Sequence, residues 1–249
     1  MDRDILLRIE EAGVHAWPAL ETAPLQGWLW RYSDGGSQRA NSVSTLAFTG
    51  RDVDAAIADA EQRYAMRGRG TMFQVSTVAA PSDLDQRLAT RGYRISDPCI
   101  TLAKTISSDV LKPDGVEYFA TATPEWFDCY ASVITPERRR VAPQILARIP
   151  KMSAFCGYRR DGQIIATALA VAHRDVVIAE CVATLAEARG TGAARAVMSG
   201  LEAWGAQQGC TVAALQALAN NAPAQALYKA LGYAERGRYH LRVKSKEQE

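Results

Sequence analysis

The sequence places Arg189-Gly190-Thr191-Gly192 directly after an apolar run, Val176–Leu185, that stops at Ala186-Glu187-Ala188, and directly before a helical pattern. Strand, glycine-rich turn and helix start together form a device for holding an anion. Successive backbone N–H groups point into the turn, and the helix dipole adds partial positive charge there. Gly190 and Gly192 let the backbone approach a phosphate with no Cβ in the way. A P-loop needs Lys-Ser/Thr after the second glycine, where this chain has Ala193-Ala194. A dinucleotide fingerprint needs a small residue at the third position, where Arg195 stands, and a βαβ unit before it, where the pattern is a meander.

The elements around the turn follow from periodicity and punctuation. Ser153–Arg159 alternates, Arg160-Asp161-Gly162 turns, Ile164–Ala172 returns, His173-Arg174-Asp175 turns again, and Val176–Leu185 is the third strand. After the glycine turn, Ala193, Ala194, Val197, Met198, Leu201 and Trp204 form the stripe of a helix that Gly209 caps. Cys210–Leu218 is a strand, Asn220–Pro223 starts a helix through Tyr228, Gly232-Tyr233 stops it, and a last strand carries Tyr239–Arg242. Upstream, Val116–Thr121 is a strand and Thr123-Pro124 opens a helix with Trp126, Phe127 and Tyr130. A second helix over Pro136–Arg148 is broken or kinked at Pro143.

The first half shows a helix over 4–14 and a strand over Gly27–Tyr32 forming a hairpin with a second strand over Ala40–Phe48. A helix over Val53–Arg67 with Asp52 as N-cap follows, then a strand over Thr71–Val78, a helix over Leu84–Arg91 stopped by Gly92-Tyr93, and a strand near Ile100–Lys104. The two halves rhyme: helix, strand, short helix and Gly-Tyr occur over 53–93 and again over 193–233. Chance similarity of generic α/β segments competes with duplication. Pro98, Ser107-Ser108 and Pro113-Asp114-Gly115 mark the boundary, giving expected domains 1–110 and 114–249. Only the second copy carries the glycine turn; the first has Thr49-Gly50-Arg51 there.

Asn221-x-x-Ala224-x-x-Leu227-Tyr228 followed by Leu231-Gly232-Tyr233, together with Glu187-x-x-Gly190-x-Gly192, resembles the GNAT superfamily of N-acetyltransferases. The family writes its pyrophosphate loop Q/R-x-x-G-x-G/A, and Glu187 departs from the first position. The first half, with Gly27–Tyr32, Arg39–Val43 and Phe73–Val75, resembles a degenerate GNAT unit. The resemblance implies an α/β (α+β) fold of two tandem GNAT-like domains, each a central mixed sheet flanked by helices. It also implies acetyl-CoA as co-substrate, held by the Gly190–Ala193 turn with Arg189 and by the strand at Val182, Ala183 and Thr184. The alternative is a non-catalytic acyl-CoA-binding module.

Within that resemblance, Glu180 on the strand entering the loop is the candidate base. Its other reading is a strand glutamate in solvent or paired with an arginine such as Arg159 or Arg174. Tyr228 stands where the family has a tyrosine that protonates the departing thiolate, and a phenol, with a pKa near ~10, suits that role; otherwise it is an aromatic core residue. Asn221 either bonds the pantetheine or caps its helix. Arg195 either adds charge to the phosphates or is solvated. Residues 124–150 and the C-terminal strands would build the acceptor pocket, with Trp126, Tyr130, Glu137 and Tyr239 as candidates, while Arg39 and Asn41 form a polar pair at the cleft or at an interface. Cys181 adjoins Glu180, but strand alternation sends the two to opposite faces, so no cysteine nucleophile is expected.

Composition narrows the function classes. A net charge of +2 implies no polyanion, and the basic clusters Arg138–Arg140 and Arg236–Lys246 read as solvated faces, so no nucleic-acid partner is expected. No apolar stretch approaches the ~20 residues that span a bilayer, and the start Met-Asp-Arg-Asp lacks a signal peptide's apolar core. Five scattered cysteines and three distant histidines argue for a reduced, cytoplasmic protein without metal. The expected partners are a small-molecule or peptide amine and, in a homodimer, a second copy of the chain.

Overall fold

Amphipathic spacing buries Leu6, Ile9, Ala12 and Ala16 on one side of helix α1 (Arg3–Ala16), and Trp17 closes it inside the core. The computed structural model describes residues 3–245; Lys246, which ends the C-terminal basic cluster, and the first two residues of the N-terminal start lie outside it. Strands β1 (Glu21–Leu25) and β2 (Trp28–Tyr32) form a hairpin, and β3 is only Val43–Ser44. Helix α2 (Val53–Ala65), strand β4 (Thr71–Ser76), helix α3 (Leu84–Thr90) and strand β5 (Arg94–Thr105) complete the first half. The second half runs β6 (Val116–Phe119), α4 (Pro124–Ala131), α5 (Pro136–Leu146), β7 (Ser153–Arg160), β8 (Gln163–His173) and β9 (Val176–Thr184). It ends with α6 (Ala193–Gln207), β10 (Val212–Leu218), α7 (Ala222–Ala230) and β11 (Ala234–Lys244).

All strands join one mixed sheet in the order β1-β2-β3-β4-β11-β5-β10-β9-β8-β7-β6. The order interleaves the halves. The C-terminal strand β11 pairs with β4 and β5, and β5 pairs on its other edge with β10. One face of the second-half strands is covered by α1, α4 and α5, through Ile9, Trp126, Tyr130, Val141 and Ile145. The other is covered by α6 and α7, through Val197, Met198, Leu201 and Tyr228. Gly200 and Gly205 explain why α6 sits so close, because a Cβ at either would lie 2.5 Å from Val116 or Val177. Each mid-helix glycine costs roughly 1 kcal/mol of helix propensity, which that packing offsets. Among the described residues no helix is long and apolar enough to cross a membrane.

The expected antiparallel pairing of Gly27–Tyr32 with the 40–48 stretch is present but reduced to Leu29 opposite Ser44, and it is not the hairpin. The hairpin strand is Glu21–Leu25, which Pro24 disguises and which lies at the sheet edge where proline is tolerated. The stretch expected as a strand over 40–48 instead curls into a 3-10 turn at Arg39–Asn41 before the two residues of β3. Asn41 causes the curl: its carboxamide oxygen accepts from Ser33 N at 2.8 Å and its nitrogen donates to Ser37 O at 2.7 Å.

Candidate active site

The central feature is a place where two parallel strands part. The β9–β10 ladder runs from Val176/Val212 to Ala179/Leu215. Beyond it β9 keeps β8 as neighbour, with Ala183 opposite Thr167, and β10 keeps β5, with Gln216 opposite Thr101. Among the described residues the edge of β9 from Glu180 to Thr184 therefore has no strand on its β10 side. A bulge makes the parting. Three steps of β9, Glu180 to Ala183, oppose two steps of β8, Leu169 to Thr167. Cys181 takes the left-handed conformation at φ 52°, and its carbonyl accepts from Thr167 Oγ1 at 3.2 Å.

The bulge overturns the expected alternation. Cys181 packs with Ile178, Ala183 and Tyr130 under α1, α4 and α5, and Glu180 faces the same side. Burial pushes the Cys181 thiol up to about 12, so it stays a neutral thiol at pH 7.

Glu180 is 8 % exposed and pairs with neither Arg159 nor Arg174, which bind Glu117, Glu125 and Glu11 instead. Its partner is Arg39, from the turn that Asn41 fixes, with Arg39 Nη2 at 2.5 Å from Glu180 Oε2. Arg39 Nη1 donates to Gln216 Oε1 at 3.1 Å, and Gln216 Nε2 donates to Glu10 Oε2 at 3.0 Å. Thr101 Oγ1 donates to the other Glu10 oxygen at 2.7 Å. Burial depresses the Arg39 guanidinium, but Glu180 and Tyr239 more than reverse that and raise it above the ordinary arginine value. Glu10 is raised to about 7 by burial, against the opposing hydrogen bonds from Thr101 and Gln216 and the charge of Arg39. Sequence reasoning misses this network, although one signal is present: Glu10 follows Leu6 by four and Ile9 by one, on the buried side of α1.

Tyr228 lies on the α6–α7 face, 7 % exposed, with its ring 6.0 Å from that of Tyr233. Its hydroxyl has no hydrogen-bond partner among the described residues. Burial, and then the charge of Glu180, push the phenol up to about 12. Glu180 and Tyr228 are thus electrostatic neighbours on opposite faces of the sheet at the parting of its strands.

The glycine turn follows β9 through a short 3-10 turn at Ala186–Ala188. Gly190 and Gly192 have φ 74° and 86°, and a Cβ at either would meet nothing within 4 Å. Among the described residues the N–H groups of Gly190, Gly192, Ala193 and Ala194 have no backbone acceptor; the first α6 bond is Ala196 N to Gly192 O at 2.9 Å. Thr191 Oγ1 braces the turn on Ala188 O at 2.8 Å. Arg189 and Arg195 are exposed beside it. In the first half the matching position is plugged, since a Cβ on Gly50 would collide with Gln26 and Phe48.

Asn221 is the N-cap of α7, its Oδ1 accepting from Ala224 N at 3.2 Å, and its amide nitrogen has no partner among the described residues. Of the acceptor candidates, Trp126 is core, fully buried with Nε1 donating to Cys156 O at 2.8 Å. Tyr239 is buried beside Arg39, Glu137 is exposed at the start of α5, and Tyr130 shares a hydrogen bond with Cys181. Among the described residues no group of three or more His, Cys, Asp or Glu could hold a metal ion.

Comparisons with known proteins agree with this geometry. Residues 5–242 match the family described as "Probable histone acetyltransferase Rv0428c C-terminal". The chain is 28 % identical over 256 residues to the uncharacterized N-acetyltransferase YobR of Bacillus subtilis (strain 168), covering 97 % of this chain and 99 % of that one. A GCN5-related N-acetyltransferase from Kribbella flavida superposes with a TM-score of 0.72 over 98 % of this chain and 96 % of its own, at 19 % identity. A tandem GNAT protein from the clavulanic acid biosynthesis pathway has a TM-score of 0.62 at 13 % identity, over 84 % and 76 % of the two chains. Parted strands, an open glycine turn and a match along nearly the whole length converge: the chain belongs to the Rv0428c C-terminal acetyltransferase family of the GNAT superfamily and is an N-acetyltransferase.

Proposed function

We propose that the enzyme moves an acetyl group from acetyl-CoA to a primary amine by direct attack of the amine on the thioester. The observation that carries this reading is the parting of β9 from β10 beyond Ala179/Leu215, with Glu180 and Tyr228 beside it and the open Gly190–Gly192 turn at the end of β9. The N–H groups of Gly190, Gly192, Ala193 and Ala194 suit a pyrophosphate, with Arg189 adding charge and Thr191 bracing the turn. The free β9 edge at Val182, Ala183 and Thr184 suits the pantetheine amides as an added strand would, and the Asn221 amide nitrogen is a further donor. Bound there, acetyl-CoA supplies an electrophilic carbonyl and a thiolate leaving group. The second half is then the catalytic unit, and the plugged turn at Gly50 leaves the first without a cofactor site.

An alkylammonium of pKa ~10.4 costs roughly 4.6 kcal/mol to neutralise at pH 7. Glu180 offsets part of that cost through Oε1, which has no partner among the described residues. The carboxylate attracts the ammonium and takes its proton through water. An N–H of the β9 edge polarises the carbonyl. Tyr228 donates its O–H to the sulfur as negative charge builds there. A phenol near 12 gives up its proton to a free thiolate of pKa ~8.5 only against about 5 kcal/mol. Donation must therefore accompany C–S cleavage. Of the two protons the ammonium loses, one leaves through Glu180 and water to solvent and the other restores the Tyr228 phenol, so that one proton ends on the thiol and one in solvent. The five buried free cysteines fit a reducing cytoplasm.

The test is thiol release from acetyl-CoA across amino acids, polyamines, aminoglycosides and peptide N-termini. Amine-dependent release is expected, with Tyr228→Phe lowering kcat by about 10²-fold. Normal turnover by Tyr228→Phe removes its role, and tight CoA binding with no release for any amine refutes the transfer reading.

A further inference from the structure

Arg138, in the first turn of α5, is held in place with no counter-charge among the described residues. Its Nε donates to the Tyr130 hydroxyl at 2.9 Å, and the guanidinium lies 5.1 Å from the Trp17 ring centroid and 5.9 Å from that of Tyr130. Both rings are themselves fixed. Trp17 is 1 % exposed with Nε1 donating to Ser37 Oγ at 2.8 Å, and Tyr130 shares its hydrogen bond with Cys181. Two aromatic faces and one hydrogen bond thus set the plane of the fork.

Among the described residues no carboxylate pairs with Arg138, and Nη1 and Nη2 have no acceptor. Its neighbours differ: Arg140 binds Asp34, and Arg39 binds Glu180. A half-buried guanidinium with its two terminal nitrogens open is a bidentate receptor for a carboxylate or phosphate. Its place is the acceptor side of the parted strands. Tyr130 links it to Cys181, the bulge residue next to Glu180, and the charge of Arg138 reaches that thiol.

We propose that the acetyl acceptor is an amine that also carries an anionic group, a carboxylate or a phosphate, which Arg138 binds while Glu180 faces the amine. This rests on the acetyl-transfer reading above. Arg138 and the exposed Arg139 next to it place positive charge at the start of α5, which disfavours a lysine-rich peptide.

The experiment pairs acceptors that share an amine and differ in the anion: glycine with glycinamide, β-alanine with its amide, phosphoethanolamine with ethanolamine, and a lysine-rich peptide as the cationic arm. Thiol release is measured on the full-length enzyme with rates expressed per neutral amine. The anionic member of at least one pair is expected to exceed its partner at least tenfold in kcat/KM. Whether a carboxylate or the phosphate wins separates the two sources of the anion. Arg138→Gln should bring that ratio near one by raising KM for the anionic member, and Arg138→Lys should restore part of it, a split that loss of packing alone would not give. A second readout is the melting temperature with N-acetylglycine and with N-acetylglycinamide, only the anion raising it, and only with Arg138 or Lys at the position. Equal use of both members of every pair, preference for the lysine-rich peptide, or an unchanged ratio in Arg138→Gln overturns the proposal and leaves acetyl transfer standing. Arg138-dependent anion binding with no acetylation of any amine refutes the transfer reading, and the acceptor role with it.

Discussion

Arg39→Met tests whether the first half holds the active site together. The substitution keeps an unbranched side chain and removes the cation beside Glu180, whose side chain is 9 % exposed against 17 % for Arg39. Removing one member of a buried pair strands the other charge, at a cost of about 3–5 kcal/mol. Gln216 Oε1 also loses its donor, a further ~1 kcal/mol. Proteins of this size lose about 2–4 °C of melting temperature per kcal/mol, so a fall of about 10 °C or more is expected. Adding Glu180→Gln removes the stranded anion. The double variant should regain much of the loss, with a coupling energy of about 2–3 kcal/mol in the thermodynamic cycle. Thermal and urea melts at pH 7 measure the cycle, and thiol release measures function, which the double variant should not regain. Melting of Arg39→Met within about 2 °C of the parent, or strictly additive losses in the double variant, would refute the argument that this pair is buried and strong.

Two further outcomes follow from the same geometry. Gly190→Ala places a Cβ in space that the protein leaves empty; apart from about 1–2 kcal/mol of left-handed backbone strain, its effect should be a KM for acetyl-CoA raised at least tenfold, and an unchanged KM would mean the phosphates lie elsewhere. Glu10 is raised from 4.5 to about 7 in the folded chain, so its contribution to stability is full below about 4.5 and is lost as pH rises through 7, about 3 kcal/mol in all. Glu10→Gln should therefore gain on the parent as pH goes from 5 to 8, and parallel stability–pH curves in urea would contradict that sign.

Much of this was legible locally. Asp52 and Thr123 announce helix starts and do cap them, through Asp54 N, Ala55 N and Trp126 N. Asp161-Gly162 announces a turn and makes one, with both residues at positive φ. These signals are short-range, and so is their physics. What the sequence hid depends on partners far along the chain. Arg39 finds Glu180 across 141 positions, and Glu10 finds Gln216 across 206. No periodicity encodes such pairs. The bulge at Cys181 was hidden for another reason: Val176–Thr184 is apolar enough to read as a regular strand, and the inserted residue shows only in its register against β8.

The hidden contacts share one cause, the interleaved order of the sheet. Because β5 lies between β11 and β10, the first half is hydrogen-bonded into both sides of the second. That arrangement brings Thr101 of β5 opposite Gln216, the first β10 residue beyond the parted ladder, and lets α1 lay Glu10 over both. The turn bearing Arg39, between β2 and β3 of the first half, completes the set. Lacking an open glycine turn of its own, that half still supplies the cation that compensates Glu180 and, through Trp17, the platform beneath Arg138. The first half is needed here even without an open glycine turn, because Arg39, which pairs with Glu180, and Glu10, tied to Arg39 through Gln216, both come from it.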